Sequence, residues 1–517
     1  MTIDPNVSAP EECTVLIVGG GPAGSYAASV LAREGISVTV CEAEIFPRYH
    51  IGESTLPSLR YFLRFIDLES KFEKHGFTKK TGATFKLNSK PPACIERHHL
   101  TLQDTDFVAG KGDSNSAWNV VRSEADELMF RHASECGAAI FDGRRITSIQ
   151  FEPETDSSSL GLGRPVSALW SQKDGLAGAI RFKYLVDATG RAGLMSTKYL
   201  KNRRMNDALK ANASWGYWEG AETTQKGKKG ESDPYFEALA DGKGWIWAIP
   251  LHNQTLSVGI VMNQDFLVET KKKFRLSSQE LYEKMVNSST LATDLLPNAR
   301  LVSGIRSASD WSYNASTYAG SNWRIVGDAG CFIDPFFSSG IHLALTAGLS
   351  AAVTICAVER GQCEPTVAER WHSDKVADSY NRFLLVVTSA LKQIGDRENP
   401  VLTEWDEENF DRAFDIFQPV IQGSADLPTK ILPMSHSARL LDFCMHAMLN
   451  QKDFHNLGTD KLAKELGVPE ETVNGYVKMV IDVMIKNEST DVDDFGDGAL
   501  NGLCANVCRG NLGLEKA

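Results

Sequence analysis

One glycine-spaced turn constrains this chain more than any other feature. Cys13–Val18 is a short apolar run and predicts a buried strand; Gly19-Gly-Gly-Pro-Ala-Gly24 follows it; Pro22–Glu34 predicts a helix. Gly19, Gly21 and Gly24 form the spacing G-x-G-x-x-G. That spacing serves a tight turn, a close approach of backbone to a pyrophosphate, and close helix–strand packing. Gly20 and Ala23 belong to the same turn and are binding candidates with it. The helix start offers N–H groups and the positive end of its dipole to a diphosphate. Ser37–Cys41 predicts a second strand, which completes a βαβ unit and implies a parallel sheet with helices on its faces. Glu42 ends that strand, where a carboxylate can accept a ribose hydroxyl.

Two later stretches, Tyr184–Gly190 and Trp323–Gly327, predict further strands of the same sheet, so the dinucleotide domain is expected to be discontinuous. We expect it over residues 1–73, 121–204 and 311–365, with a second sheet from 74–120 and 205–310. Beyond 365 the apolar spacing becomes helical, in Val367–Lys392 and Thr472–Lys486, so 366–517 predicts a helical subdomain with a loose end from Asp491. Glu152–Arg164 and Thr223–Pro234 are polar, glycine-containing connections. Gly340–Val358 is apolar enough to suggest a membrane span. His342, Thr346, Ser350 and Thr354 interrupt it, and a buried helix is the expectation instead.

Composition narrows the partners. A net charge of -12 argues against nucleic acid and anionic membranes, since both demand a positive face. The 10 cysteines show no C-x-x-C pair and no zinc-like spacing, which implies free thiols in a reducing cytoplasm and no metal centre. Met1–Glu12 has no apolar core of a secretory signal.

Gly327-Asp328-Ala329-Gly330 resembles the G-D motif of FAD-dependent aromatic hydroxylases, in which the aspartate contacts the ribitol of the flavin. Asp187-Ala-Thr-Gly190 resembles the D-x-x-G element of the same superfamily. Arg122 stands in a segment (VVRSEADELM) similar to that family's V-x-R-x-x-x-D stretch and is a candidate cofactor contact, with a surface capping arginine as the alternative. FAD is therefore expected at the Gly19 turn. The expected fold is α/β: a discontinuous Rossmann-like FAD-binding domain of the aromatic-hydroxylase type, with an inserted antiparallel sheet and a C-terminal helical subdomain.

Five stretches resemble flavin-dependent halogenases, most of all the fungal phenolic type that decorates polyketides. They are GGGPAG at Gly19, FPRYHIGES from Phe46, KKTGATF from Lys79, GWIWAIP from Gly244 and GDAGCFIDPFFSSGIH from Gly327. The resemblance implies an enzyme that uses FADH2, O2 and chloride or bromide to make hypohalous acid, which then passes to a lysine beside the substrate. Lys80 takes the lysine's place in the phenol-type motif; Lys86 is the rival, where tryptophan-type relatives carry theirs. Burial and a like-charged neighbour such as Lys79 would lower the Lys80 pKa. Trp245 and Trp247 alternate along a predicted strand, and the resemblance implies a barrier between flavin and substrate; an aromatic pair in a sheet core is the plainer reading.

By the same resemblance Arg48 and Glu53, in the FPRYHIGES stretch, belong to the cofactor site. Ser339 and Gly340 would bind halide at a helix start, and the amide of Ile341 would meet the flavin, with simple capping by Ser339 as the plainer reading. Tryptophan halogenases place a glutamate where this chain has Phe337. The missing carboxylate argues for a phenol, whose own oxygen activates the ring. His98, His99, His342 and the acids near Asp491 are unranked candidates for its base. No second dinucleotide site is evident, so a separate flavin reductase is the expected partner, with a small phenolic substrate, free or carrier-bound. The rivals are an NAD(P)H-dependent aromatic hydroxylase on the same fold and a non-catalytic flavin-binding protein.

Overall fold

The structure, a computed structural model, describes residues 10–86, 103–108, 112–153, 162–222, 230–395, 495 and 499–517. Glu12–Val18 lies at the centre of a parallel sheet. It pairs on one side with Val38–Cys41, which carries Ala139–Phe141, and on the other with Ala177–Asp187, which carries Trp323–Ile325. Both faces are covered, so the central strand is a continuous apolar run. Val15 and Ile17 pack into the core under the helices, while Leu16 and Val18 join a second cluster with Leu185 and Ile325. An antiparallel flap, Arg145–Glu152 with Arg164–Ser171, pairs onto the first half of Ala177–Asp187.

Pro22–Arg33 follows the glycine turn as a helix with proline in its first turn, where no N–H is lost. The expected strands and helix of the βαβ unit are thus observed to within a residue at each end. The apolar stretch is the helix Gly340–Glu359, buried against the first helix. It is long and apolar enough to cross a membrane, yet its side chains are spent on the protein interior. Gly348 makes the close approach possible: a Cβ there would lie 2.8 Å from the Ala23 carbonyl oxygen.

The second sheet runs Arg300–Leu301, Arg203–Glu219, Thr255–Asn263, Gly244–Pro250, Tyr235–Ala238, Gly82–Lys86 and Gln103–Asp106, with Arg306–Ala315 also on Arg203–Glu219. It is antiparallel apart from the parallel pair Tyr235–Ala238 and Gly82–Lys86. Its two faces separate by strand alternation. Ile246, Ala248, Val258 and Ile260 pack under the helices Gln264–Phe274 and Ser278–Asn287, while Phe236, Trp245, Trp247 and Val261 face the main core. The expected boundaries at 204/205 and 310/311 cut through paired strands, because Arg203–Met205 pairs with Tyr313–Ala315.

Pro365–Gly395 is one long helix. The expected helix at Thr472–Lys486 lies outside the described residues. The last residues are not the expected loose end: Leu503–Asn506 and Gly513–Lys516 form a hairpin. Trp371 Nε1 donates to Leu503 O at 3.2 Å, and Arg509 reaches Asp67 at 2.7 Å and Phe65 O at 2.6 Å. Ala505, Leu512 and Leu514 join the main core, so contacts with distant segments hold the hairpin in place. Of the two polar connections, 154–161 and 223–229 lie outside the described residues.

The glycine turn tolerates no side chain where it closes on itself. A Cβ on Gly24 would stand 2.0 Å from the Gly19 carbonyl oxygen. Gly24→Ala is expected to cost about 1–3 kcal/mol or more through overpacking, read as a lowered Tm of the purified protein.

Candidate active site

A cavity of about 720 Å³ opens at the carboxyl end of the central strand and extends to the second sheet. A crevice outside the carboxyl ends of parallel strands is where open α/β sheets bind ligands. Gly19, Gly21 and Ala23 line it; Gly20 and Gly24 sit behind its wall. Gly19 adopts φ +109°, and a Cβ there would lie 2.1 Å from Ala188 O, so only glycine fits. Glu42 lines the cavity and accepts one backbone N–H on each oxygen, Gly20 N–H on Oε2 at 2.7 Å and Glu44 N–H on Oε1 at 2.9 Å, which leaves lone pairs for a further donor. Its visible work is to hold the glycine turn.

Two arginines converge on one acid. Asp126 accepts from Arg122 Nε at 2.8 Å and Nη2 at 3.0 Å, and from Arg48 Nη1 at 3.1 Å. Burial alone would raise its pKa, but the two guanidiniums outweigh it and hold the carboxyl below its ordinary value. Arg122 also donates to Ile51 O at 2.6 Å. It is buried and opens the helix Arg122–Glu135, which excludes the surface-capping alternative. Both arginines line the cavity, as does Asp328, whose carboxyl is pushed up to about 6 by desolvation against three nearby arginines.

Glu53 lines the same wall and was legible only by resemblance. Tyr217 Oη donates to its Oε1 at 2.7 Å, and Tyr49 Oη stands 2.9 Å from Tyr217 Oη. Trp215 Nε1 donates to Tyr49 Oη at 2.6 Å, which leaves Tyr49 to donate onward. Burial pushes Glu53 up to about 7. Its Oε2 is buried without a partner. The motif stretch from Phe46 supplies Tyr49 and Glu53, but the link between them comes from Trp215 and Tyr217 on the distant strand Arg203–Glu219, which carried no motif.

Lys80 ends the strand Thr78–Lys80 and is 2% exposed. Its Nζ donates to Ser54 Oγ and Thr55 O, each at 2.9 Å, and lies 5.1 Å from the Phe107 ring centroid. Neither hydrogen-bond partner is charged. Desolvation pushes its pKa down to about 7, and the more distant Asp233 only partly opposes this. Lys79 does not contribute as expected: it is exposed and paired with Asp113 at 2.7 Å. Lys80 does not itself line the cavity; Ser54, its partner, does. Lys86 is buried elsewhere, donating at 2.6 Å to Thr290 Oγ1, which in turn donates to Glu237 at 2.9 Å.

Trp245 and Trp247 both line the cavity with ring centroids 5.7 Å apart. Trp245 meets Phe336 edge-on at 5.1 Å, and Phe85 stacks on Phe236 at 5.0 Å. Phe337 is buried in this aromatic cluster, 5.9 Å from Phe85. A carboxylate missed from sequence lies close by in chain: Asp334 is buried, accepts from Phe336 N–H at 3.0 Å, and is pushed up to about 7 by desolvation.

At the helix start, Ser338 turns the chain in the left-handed conformation, φ +58°, and Gly340 and Ile341 face the cavity. Ser339 makes no capping hydrogen bond, and its Oγ is buried without a partner, so the simple capping reading does not hold. Ser338, not Ser339, is on the cavity wall. His342 is tied to Ser58 Oγ at 2.9 Å. His98, His99 and residues 491–494 lie outside the described residues. All 8 described cysteines are free.

The cavity suits a flavin dinucleotide. Its glycine turn leaves backbone open beside arginines, and on its wall the buried Glu53 Oε2 has no partner. A cavity of this size, apolar with a few convergent polar groups, is the kind that holds a cofactor.

Fold and cavity together define an FAD-dependent oxidoreductase of the α/β class. The tryptophan halogenase family model matches residues 14–95 and 91–389. A flavin-dependent halogenase of Acremonium egyptiacum, ascD, is 48% identical, covering 98% of this chain and 93% of that protein. The sulochrin halogenase gedL of Aspergillus terreus is 47% identical over 99% and 94%. The myxobacterial chondrochloren halogenase CndH shares the fold, with a TM-score of 0.64 and 23% identity over 86% of this chain and 99% of that one. The chain therefore belongs to the flavin-dependent halogenases. It is an FADH2-dependent enzyme that consumes halide and O2; the hydroxylase and non-catalytic readings fall away.

Burial of Lys80 carries a signed pH signature. Its folded pKa lies below the unfolded value, so folding pays the desolvation penalty at neutral pH and escapes it as pH rises toward 10.5. The Tm of Lys80→Met relative to the parent is therefore expected to fall steadily as pH is raised from neutral, in thermal unfolding series on both proteins.

Proposed function

We propose that this enzyme halogenates an electron-rich phenol, a polyketide-derived secondary metabolite, and that Lys80 presents the hypohalous acid to it. The observation that carries the proposal is the buried Lys80 amine, hydrogen-bonded only to neutral partners and balanced between charged and neutral forms near pH 7. Protonated, it donates a hydrogen bond that polarises the oxidant; neutral, it can accept the halogen. Lys86, committed to Thr290, is the weaker candidate.

The flavin, once reduced and exposed to O2, supplies the oxidising power that turns halide into hypohalous acid. The chain's own residues do the rest. Gly19, Gly20, Gly21, Ala23 and Gly24 would seat the diphosphate against the helix start, with Arg48 and Arg122 beside it and Asp328 toward the ribitol. Glu42, on the cavity wall, would accept a ribose hydroxyl while holding the turn. Glu53 would complete its hydrogen bonding on the cofactor. Ser339 and Gly340 would hold the halide, since the helix start is uncapped and a hydroxyl there is unspent; Ile341 would meet the flavin through its amide. Trp245 and Trp247 would keep the flavin from reacting directly with the substrate.

Phe337 supports the substrate class. An indole needs a carboxylate to stabilise the cation formed on attack, and a buried phenyl ring supplies none. A phenol brings its own electron push. The relatives' names support small-molecule halogenation, and a separate flavin reductase, working in the cytoplasm, is inferred to supply FADH2. The chain divides into a discontinuous FAD-binding domain, a substrate-side sheet that takes the whole of Arg203–Glu219 and Arg306–Ala315, and a C-terminal subdomain.

Mass spectrometry of reactions with reduced FAD, O2 and bromide on a panel of resorcinol-like phenols tests the reading. Brominated products that disappear in Lys80→Ala, with FAD binding retained, are expected. Equal bromination by both proteins removes Lys80 from the mechanism, and products that gain oxygen alone reject the phenol-halogenation reading. Ser339→Ala is expected to raise the apparent KM for bromide more than it lowers kcat, because it removes a halide contact and no capping bond.

A further inference from the structure

Away from the cavity, three ligating side chains from three segments meet at the protein surface. His75 ends the helix Glu69–His75, Glu124 lies in the first turn of Arg122–Glu135, and His252 follows the strand Gly244–Pro250. Both imidazoles point their Nε2 atoms at one oxygen, Glu124 Oε2, from 2.6 Å and 3.1 Å. All three ligand atoms lie within 4.8 Å of one another. Phe77 packs against both rings, with centroids 4.3 Å from His75 and 5.3 Å from His252, and so fixes their directions.

We propose that His75, Glu124 and His252 form a binding site for a divalent d-block cation of the Zn²⁺ type. Two imidazoles and one carboxylate are the donor set that selects such ions over Mg²⁺ or Ca²⁺, which take oxygen. Tetrahedral ligands about 2.0–2.2 Å from an ion stand roughly 3.3 Å apart. The two observed separations, 2.6 Å and 3.1 Å, both fall short of that spacing by an amount that side-chain adjustment alone can supply. The three side chains are 29%, 37% and 21% exposed, so the ion has access and room to keep a water as fourth ligand. Binding is a ligand exchange without redox change: imidazole nitrogens and a carboxylate oxygen replace waters, and each imidazole carries its proton on Nδ1. For His252 that Nδ1 is buried and has no acceptor. A missing outer partner weakens a site, so the ion is exchangeable and not a permanent structural centre.

Position gives the site its consequence. His75 lies just before the strand that ends in Lys80, Glu124 two residues after Arg122, and His252 just after the strand of Trp245 and Trp247. An ion there ties together the three segments that build the cavity region, from outside it.

The test uses the full chain, stripped with chelator and titrated with Zn²⁺ alone by calorimetry, with elemental analysis after dialysis. One equivalent is expected, with binding weakened about tenfold or more in His75→Ala, His252→Ala and Glu124→Gln, and unchanged in Cys508→Ser. The Tm of the parent should rise with Zn²⁺, and that of the variants should not. Co²⁺ loaded into the parent provides a check independent of any variant's folding: visible bands of nitrogen and oxygen ligation are expected. No saturable binding, equal binding by the variants, or a thiolate charge-transfer band would each overturn the assignment.

Discussion

Close backbone contact at the glycine turn is the constraint on which the rest of the structure depends. Gly19 lies against the Ala188 carbonyl, Gly24 against the Gly19 carbonyl, and Gly348 against the Ala23 carbonyl. These contacts bring the first strand, the strand Ala177–Asp187 and the helix Gly340–Glu359 to one place, although more than three hundred residues of chain separate the outermost of them. The cavity exists because those backbones touch without side chains between them. Its mouth then inherits the helix start at Gly340 on one side and the diphosphate turn on the other.

Charge is handled in two opposite ways around that cavity. Asp126 is buried with two arginines and stays ionised, so its burial is compensated. Lys80, Glu53 and Asp334 are buried without comparable pairing, and each is driven toward neutrality, to about 7. A fold that carries three such groups near one cavity accepts a stability cost there, and perturbed groups of this kind cluster where chemistry is done. Aromatic rings adjoin each of the three: Phe107 beside Lys80, Tyr217 on Glu53, and Phe336 two residues from Asp334.

Much of this was legible locally. The βαβ unit, the buried apolar helix and the facing of both tryptophans follow from periodicity, since strand alternation and helical spacing are written residue by residue. Other elements were legible only as motifs whose geometry had to be found. Lys79 and Lys80 are adjacent and identical in type, yet one pairs with Asp113 in solvent and the other is sealed behind Ser54. Ser339 looked like a cap and makes no capping bond. Glu42, a ribose-acceptor candidate by position, also takes one backbone N–H of the turn on each oxygen, a second task that its spacing did not reveal. The C-terminal hairpin escaped detection because its order comes from Trp371, Asp67 and Arg360, far away in sequence.

By itself, the sequence determined the class of fold, the dinucleotide turn and the family chemistry, because each rests on short segments whose residue types act through their immediate neighbours. Tertiary structure alone decided which lysine is driven toward neutrality, which serine keeps a free hydroxyl, how Glu53 reaches Tyr49 through Tyr217, and that His75, Glu124 and His252 meet. All of these depend on burial and on partners from distant strands. Desolvation and convergence are properties of a surrounding volume, and a linear sequence does not contain that volume until it folds.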